Sequence, residues 1–227
     1  MISRRTFLGA LLTSSAYPLH TLPQLGGNAA VDPGDVMDEA LAMLAPYGPS
    51  FQGGLSNHGP MTAEALVALG RPEDVISWVG SYRGRLDERP SKVSSIDKAA
   101  WKEALGDKAR SRDWAEWFTN ELAEASWKDV VALWVPRLAP GIAAAGLHGV
   151  IRVGHAVCSL DVKETPERLD ELARSLGYWA AEFLRLPGTP KGGGKLAPSR
   201  ALAKVELLPQ EQRTSRGLIT TQLKDLR

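Results

Sequence analysis

The 227-residue sequence has a single cysteine, Cys158, and only four histidines. One cysteine excludes an intramolecular disulfide and any multi-cysteine zinc or iron–sulfur site. An excess of charge of one sign is also missing. Lys+Arg 27 against Asp+Glu 26 gives a formal net charge of +1, without the basic face that general nucleic-acid binding needs, so no nucleic-acid partner is expected. No apolar run approaches the roughly 20 residues that span a bilayer, so no stable membrane span is expected. No Gly-x-Gly-x-x-Gly follows a strand-like run, and no Gly-x-Ser-x-Gly elbow is present. The glycine-rich stretch at 188–195 lacks P-loop spacing and reads as a solvated loop. What is present is an ordinary globular composition, 44% hydrophobic and 23% charged, with seven Trp beside four Tyr and four Phe.

The N-terminus reads as an address. Ser3-Arg4-Arg5-Thr6-Phe7-Leu8 and the short apolar stretch to Leu12 resemble a bacterial twin-arginine export signal. Residues 1–29 are therefore expected to be signal and linker. The expected partner is the twin-arginine export machinery, and the expected location the periplasm or the medium. The other reading is a chance arginine pair on an amphipathic or disordered terminus. An unpaired thiol suits an oxidising compartment when it is buried, and Cys158 reads as a small buried filler.

From residue 30 onward the apolar positions recur at three and four residues, with no period-two run. The expected fold is a single all-α, multi-helix domain over 30–227. Val36, Met37, Ala40, Leu41 and Leu44 form one stripe behind Asp32 and Pro33. Helices are expected over 60–69 and 73–82, then a polar loop over 84–97. A long helix over 114–133, broken near Ser126, is followed by one opening at Pro140-Gly141 and running to about Leu160. Thr165-Pro166-Glu167 starts a further helix to about Leu184, and weaker segments cover 199–207 and 209–226.

Three histidines lie outside the signal: His58, His148 and His155. His58 stands directly before a helix N-terminus. His148 and His155, seven residues apart, lie on nearly one helix face, about 10 Å apart along the axis. Neutral imidazoles are the commonest ligands of zinc and redox metals, and buried histidines bonded to the backbone are the competing reading. Arg152, between the two on the same face, is either a salt-bridge partner or a fixed positive charge for an anionic oxygen of substrate. Glu64 is the nearest carboxylate to His58 and equally reads as an ordinary first-turn residue. Cys158, at i+3 from His155, has an activated thiol as its alternative reading. The tryptophans read as core, with an aromatic binding box as the alternative.

Two segments together, Ser56-Asn57-His58-Gly59-Pro60-Met61 with Glu64-Ala65-Leu66, and Leu147-His148-Gly149-Val150-Ile151-Arg152 with His155-Ala156-Val157, resemble the questin oxidase-like family. Asp113-Trp114, Trp134 to Gly141 and Tyr178-Trp179-Ala180-Ala181 fit in the same order. The resemblance covers about Asp35 to Gly188 and, since no histidine follows His155, implies a short or C-terminally truncated member. It implies an all-helical oxidoreductase acting on an aromatic or quinone-like small molecule with dioxygen and NADPH. The implied metal is a non-haem iron held by His58, His148 and His155, with Arg152 beside them as the catalytic residue. The Trp-rich interior would give a flat substrate a stacking wall. The alternatives are a catalytically degenerate helical domain binding an apolar ligand or a partner, and a zinc hydrolase on the same histidines.

Overall fold

A computed structural model of the chain describes residues 32–186, 194–207 and 209–210; the export-signal reading and the expected helix over 209–226 lie almost entirely outside them. Eight α-helices are seen among the described residues: α1 (Pro33–Leu44), α2 (Gly59–Ala68), α3 (Pro72–Arg83), α4 (Ser111–Glu124), α5 (Trp127–Leu138), α6 (His148–Val162), α7 (Pro166–Ala181) and α8 (Pro198–Leu202). The all-α expectation holds. The one addition is a two-stranded antiparallel ribbon, Ser50–Phe51 with Leu55–Ser56, that the periodicity did not announce. Four residues are too few to show alternation, and Gly53 and Gly54 turn the chain between them at positive φ.

Local chemistry sets most boundaries. The Asp32 carbonyl accepts from the Asp35 and Val36 amides at the start of α1. Ser126 caps α5, its Oγ accepting from the Asp129 amide at 3.2 Å, which places the anticipated break there. Thr165 caps α7 in the same way through the Arg168 amide, with Pro166 in the first turn.

The helix expected from Pro140 begins instead at His148. Residues 139–141 form a single 3-10 turn, and Ala145, Gly146 and Leu147 all have positive φ, which no continuous α-helix tolerates. Gly141 is pressed under Phe183, where a Cβ would meet the ring at 2.3 Å. The kinked entry leaves His148 as the first residue of α6 rather than in mid-helix.

Two apolar cores result. Val36, Met37, Ala40, Leu41 and Leu44 of α1 pack with Val75, Val79 and Tyr82 of α3 and Ala63 of α2. The larger core gathers Trp114, Phe118, Trp127, Trp134, Leu172, Leu176 and Trp179 from α4 to α7. Helix α2 packs on α6, so the cores meet along the α2–α6 seam. Charged groups also tie the layers. Arg168 Nε on α7 reaches Asp38 Oδ1 on α1 at 2.7 Å, and Arg174 Nη1 donates to the Ala45 carbonyl at 2.7 Å.

The tightest approach is α4 on α7. At Gly177 an added Cβ would stand 2.8 Å from the Ala115 amide nitrogen, part of a backbone that cannot swing aside. Gly177→Ala gains about 1 kcal/mol of helix propensity, but the forced separation of α4 and α7 outweighs it. The expected outcome is a net destabilisation of about 1–3 kcal/mol, read as a lower urea midpoint by circular dichroism.

Candidate functional site

The site is built where two helix N-termini meet. The loop before α2 is fixed by Asn57, whose Nδ2 donates to the Gly48 carbonyl at 2.9 Å while its Oδ1 accepts from the Gly59 amide at 2.9 Å. Ser56 Oγ and Tyr178 Oη share a 2.8 Å hydrogen bond across the seam. His58 follows as the N-cap residue of α2, its amide donating to Tyr82 Oη at 2.9 Å. The positive φ at Leu147 delivers His148 to the same point from α6.

The two imidazoles meet edge to face, with ring centroids 4.9 Å apart and planes at 87°. Their Nε2 atoms are 3.0 Å apart. His148 Nδ1 is 2.7 Å from the Ala145 carbonyl and donates to it, so the neutral ring carries its lone pair on Nε2. Burial and the neighbouring His148 hold the His58 pKa below its ordinary value, against a hydrogen bond to the Ser56 backbone that favours the charged ring. With the His148 lone pair on Nε2, the 3.0 Å contact is closed by a proton donated from His58 Nε2 or by a cation shared between the two nitrogens.

Further along the seam, His155 Nδ1 on α6 contacts Glu64 Oε2 on α2 in a close charge-assisted hydrogen bond. Since 58 meets 148 and 64 meets 155, α2 and α6 run parallel. Glu64 thus completes a pair with His155 rather than with His58. The carboxylate fixes the His155 tautomer and leaves its Nε2 as the basic atom, as in an outer-shell carboxylate–histidine unit.

His148 and His155 thus have the donor chemistry a metal requires: an oxygen on Nδ1 and a lone pair on Nε2. Placement is more selective. His58 and His148 converge and His155 pairs with Glu64. Among the described residues no group of three or more His, Cys, Asp or Glu side chains is disposed to hold a metal ion.

Arg152 is 4% exposed and forks onto Glu171 of α7, Nε to Oε1 at 2.7 Å and Nη2 to Oε2 at 2.9 Å. Of the two roles open to it, the structure shows the salt bridge. Burial acts to discharge the guanidinium, and the Glu171 carboxylate more than restores it, so its pKa lies above the ordinary value. Glu171, Tyr82 and Tyr178 were not legible as site residues, because nothing in their spacing marks them; only the fold brings them to the seam. Burial pushes the Tyr178 hydroxyl up to about 12, which keeps it a neutral hydrogen-bonding group.

Two expectations are corrected. Cys158 is exposed rather than buried, because α6 turns that position away from both cores. Its thiol is nonetheless held up, first by partial desolvation and then by Glu64 and Asp161, and so is not activated. The tryptophans offer no stacking wall. Trp114, Trp134 and Trp179 are almost fully buried; Trp114 and Trp134 pack on each other and on Phe118, with Arg137 4.9 Å above the Trp134 ring. Apolar surface beside the histidines comes instead from Leu55, Leu147 and Ile151, all exposed.

Comparison with known proteins singles out the same region. The family model described as questin oxidase-like matches residues 55–158, a stretch that holds His58, Glu64, His148, Arg152 and His155. No curated protein and no solved structure matches the chain. No helix among the described residues is long and apolar enough to cross a membrane.

Two outcomes follow from the geometry. The His58 pKa lies below 6.5, because desolvation and then the neighbouring His148 disfavour its charged form. A lowered histidine pKa means the unfolded chain binds the proton more readily, so this contribution to stability is intact above pH 6.5 and lost as pH falls through the folded value. In an NMR titration, His148→Ala is expected to move His58 back toward 6.5. The second outcome concerns the buried pair. Glu171→Ala leaves the Arg152 charge buried and unpaired and is expected to cost about 3–5 kcal/mol by chemical denaturation.

Proposed function

We propose, on the premise that residues 55–158 are a questin oxidase-like segment, that this chain is an oxidoreductase. In this reading it carries out an oxygen-dependent oxidation of an aromatic or quinone-like small molecule at the His58–His148 pair. The observation that carries the reading is the facing of two Nε2 atoms at 3.0 Å, with the opposite nitrogen of His148 engaged by the Ala145 carbonyl.

His58 and His148 would hold the iron that the resemblance implies. When bound, iron supplies the one-electron chemistry that lets dioxygen react with a closed-shell organic molecule. The chain's own residues do the rest. Burial and the neighbouring His148 favour neutral imidazole at His58, which is the ligating form. His155, oriented by Glu64, accepts or returns a proton at Nε2. Leu55, Leu147 and Ile151 flank the pair with apolar surface for a flat ring system. Arg152 acts through Glu171 as a positioning residue, holding α6 in register. NADPH is the proposed source of reducing equivalents. Export through the twin-arginine route, which carries folded proteins, is proposed from the N-terminal pattern.

The same exposed leucines and isoleucine also suit a domain that binds an apolar ligand or partner without turnover, and one experiment separates the two readings. The untagged full chain is analysed for metals as isolated and after anaerobic addition of ferrous iron. It is then assayed for oxygen uptake with a hydroxyanthraquinone and NADPH. About one iron per chain is expected, with metal and uptake both lost in His58→Ala and His148→Ala. No bound metal and no uptake in a folded protein would overturn the oxidoreductase reading in favour of ligand binding alone.

A further inference from the structure

On the other side of Arg152 lies a second feature that the histidine site does not use. A shallow, solvent-open depression is lined by four arginines, Arg89, Arg112, Arg152 and Arg174, together with Tyr47 and Tyr178. They come from four parts of the chain: the segment after α3, α4, α6 and α7. Packing four guanidinium groups around one depression is electrostatically costly unless anions answer them.

The protein answers that charge only in part. Arg152 is paired with Glu171, Arg174 with Asp170 at 2.6 Å, and Arg112 with Glu116 at 3.4 Å, a carboxylate that Lys92 also holds. Arg89 has no ion pair and no side-chain hydrogen bond among the described residues. Its pKa falls to about 10, through burial first and then the charges of Arg174 and Arg112. Two further donors, Arg152 Nη1 and Arg174 Nε, are buried without a hydrogen-bond partner among the described residues. A buried donor without an acceptor costs stability, which adds to the unanswered positive charge of this region.

We propose that this pocket is an oxyanion-binding site, taking a phosphate or carboxylate group of a small molecule. Guanidinium forks match both groups through paired N–H···O bonds, whereas a halide ion supplies no such geometry. The site stands apart from the oxidoreductase reading, since it needs neither metal nor turnover. Arg152 connects the two places, its backbone lying on α6 between His148 and His155 and its guanidinium lining the pocket.

The test is calorimetric titration of the full chain with inorganic phosphate and, separately, benzoate, against sodium chloride at matched ionic strength. Saturable binding of either anion is expected; phosphate alone indicates a tetrahedral dianion and benzoate alone a planar carboxylate. Arg89→Ala, which removes a side chain with no hydrogen bond among the described residues, is expected to weaken binding about tenfold or more. Arg174→Gln is a second variant with the same expectation, and His58→Ala should leave the affinity unchanged. Absence of saturable binding to the folded wild-type chain would overturn the proposal. So would equal affinity in wild type and Arg89→Ala, or binding lost in His58→Ala but retained in the arginine variants.

Discussion

The buried pair of Arg152 and Glu171 is the contact on which the arrangement of the seam depends. A fork of two charge-assisted hydrogen bonds tolerates little rotation, so it fixes how α6 sits on α7. Gly149 allows that contact to be close, its Cα lying against the Trp179 ring where a Cβ would meet carbon at 3.0 Å. With α6 held from behind, His148 and His155 are presented to α2. The same guanidinium reaches the arginine-lined pocket. One side chain thus sets the orientation of the imidazoles and contributes to the charge of the neighbouring depression.

The candidate site belongs to neither core. His58 and Glu64 come from the layer built on α1–α3, and His148 and His155 from the layer built on α4–α7. Polar contacts across the boundary do the aligning: Ser56 with Tyr178, Arg168 with Asp38, Arg174 with the Ala45 carbonyl. Such contacts are directional, whereas apolar packing is not, so they specify register where two cores abut. The seam is also where the chain leaves its reactive nitrogens accessible. His58 is exposed and His155 retains 32% of its side-chain surface, while Asn57, which fixes the loop carrying His58, is buried and Glu64, which orients His155, is half-buried.

The tryptophans show why composition misleads about ligands. Seven in one chain invite an aromatic box, yet their indole N–H groups are largely satisfied inside. Trp114 donates to the Ala104 carbonyl, Trp134 to Glu121, Trp127 to Glu164 and Trp179 to the Gly141 carbonyl. All but Trp78, which packs on the smaller core, belong to the larger core, as residues with so much apolar surface usually do. Cys158 misleads in the opposite sense. Its type favours burial, but its angular position on α6 exposes it.

The sequence by itself determined the helices and the residues that could react. Caps at Ser126 and Thr165, prolines in first turns and the three-four spacing of apolar residues act within one or two turns, so they are visible without a fold. The same holds for His58, His148, Arg152 and His155 as a set worth weighing, and for the resemblance of the segments around them to the questin oxidase-like family. Only the tertiary structure decided which of these groups meet. The positive φ values at 145–147, which move His148 to a helix start, occur in a segment whose entry at Gly141 is packed under Phe183 from a distant part of the chain. The pairing of His58 with His148, of Glu64 with His155 and of Arg152 with Glu171 joins positions 90, 91 and 19 residues apart. Contacts at such separations leave no period in the sequence, because they are set by how whole helices pack and not by any repeat along one of them.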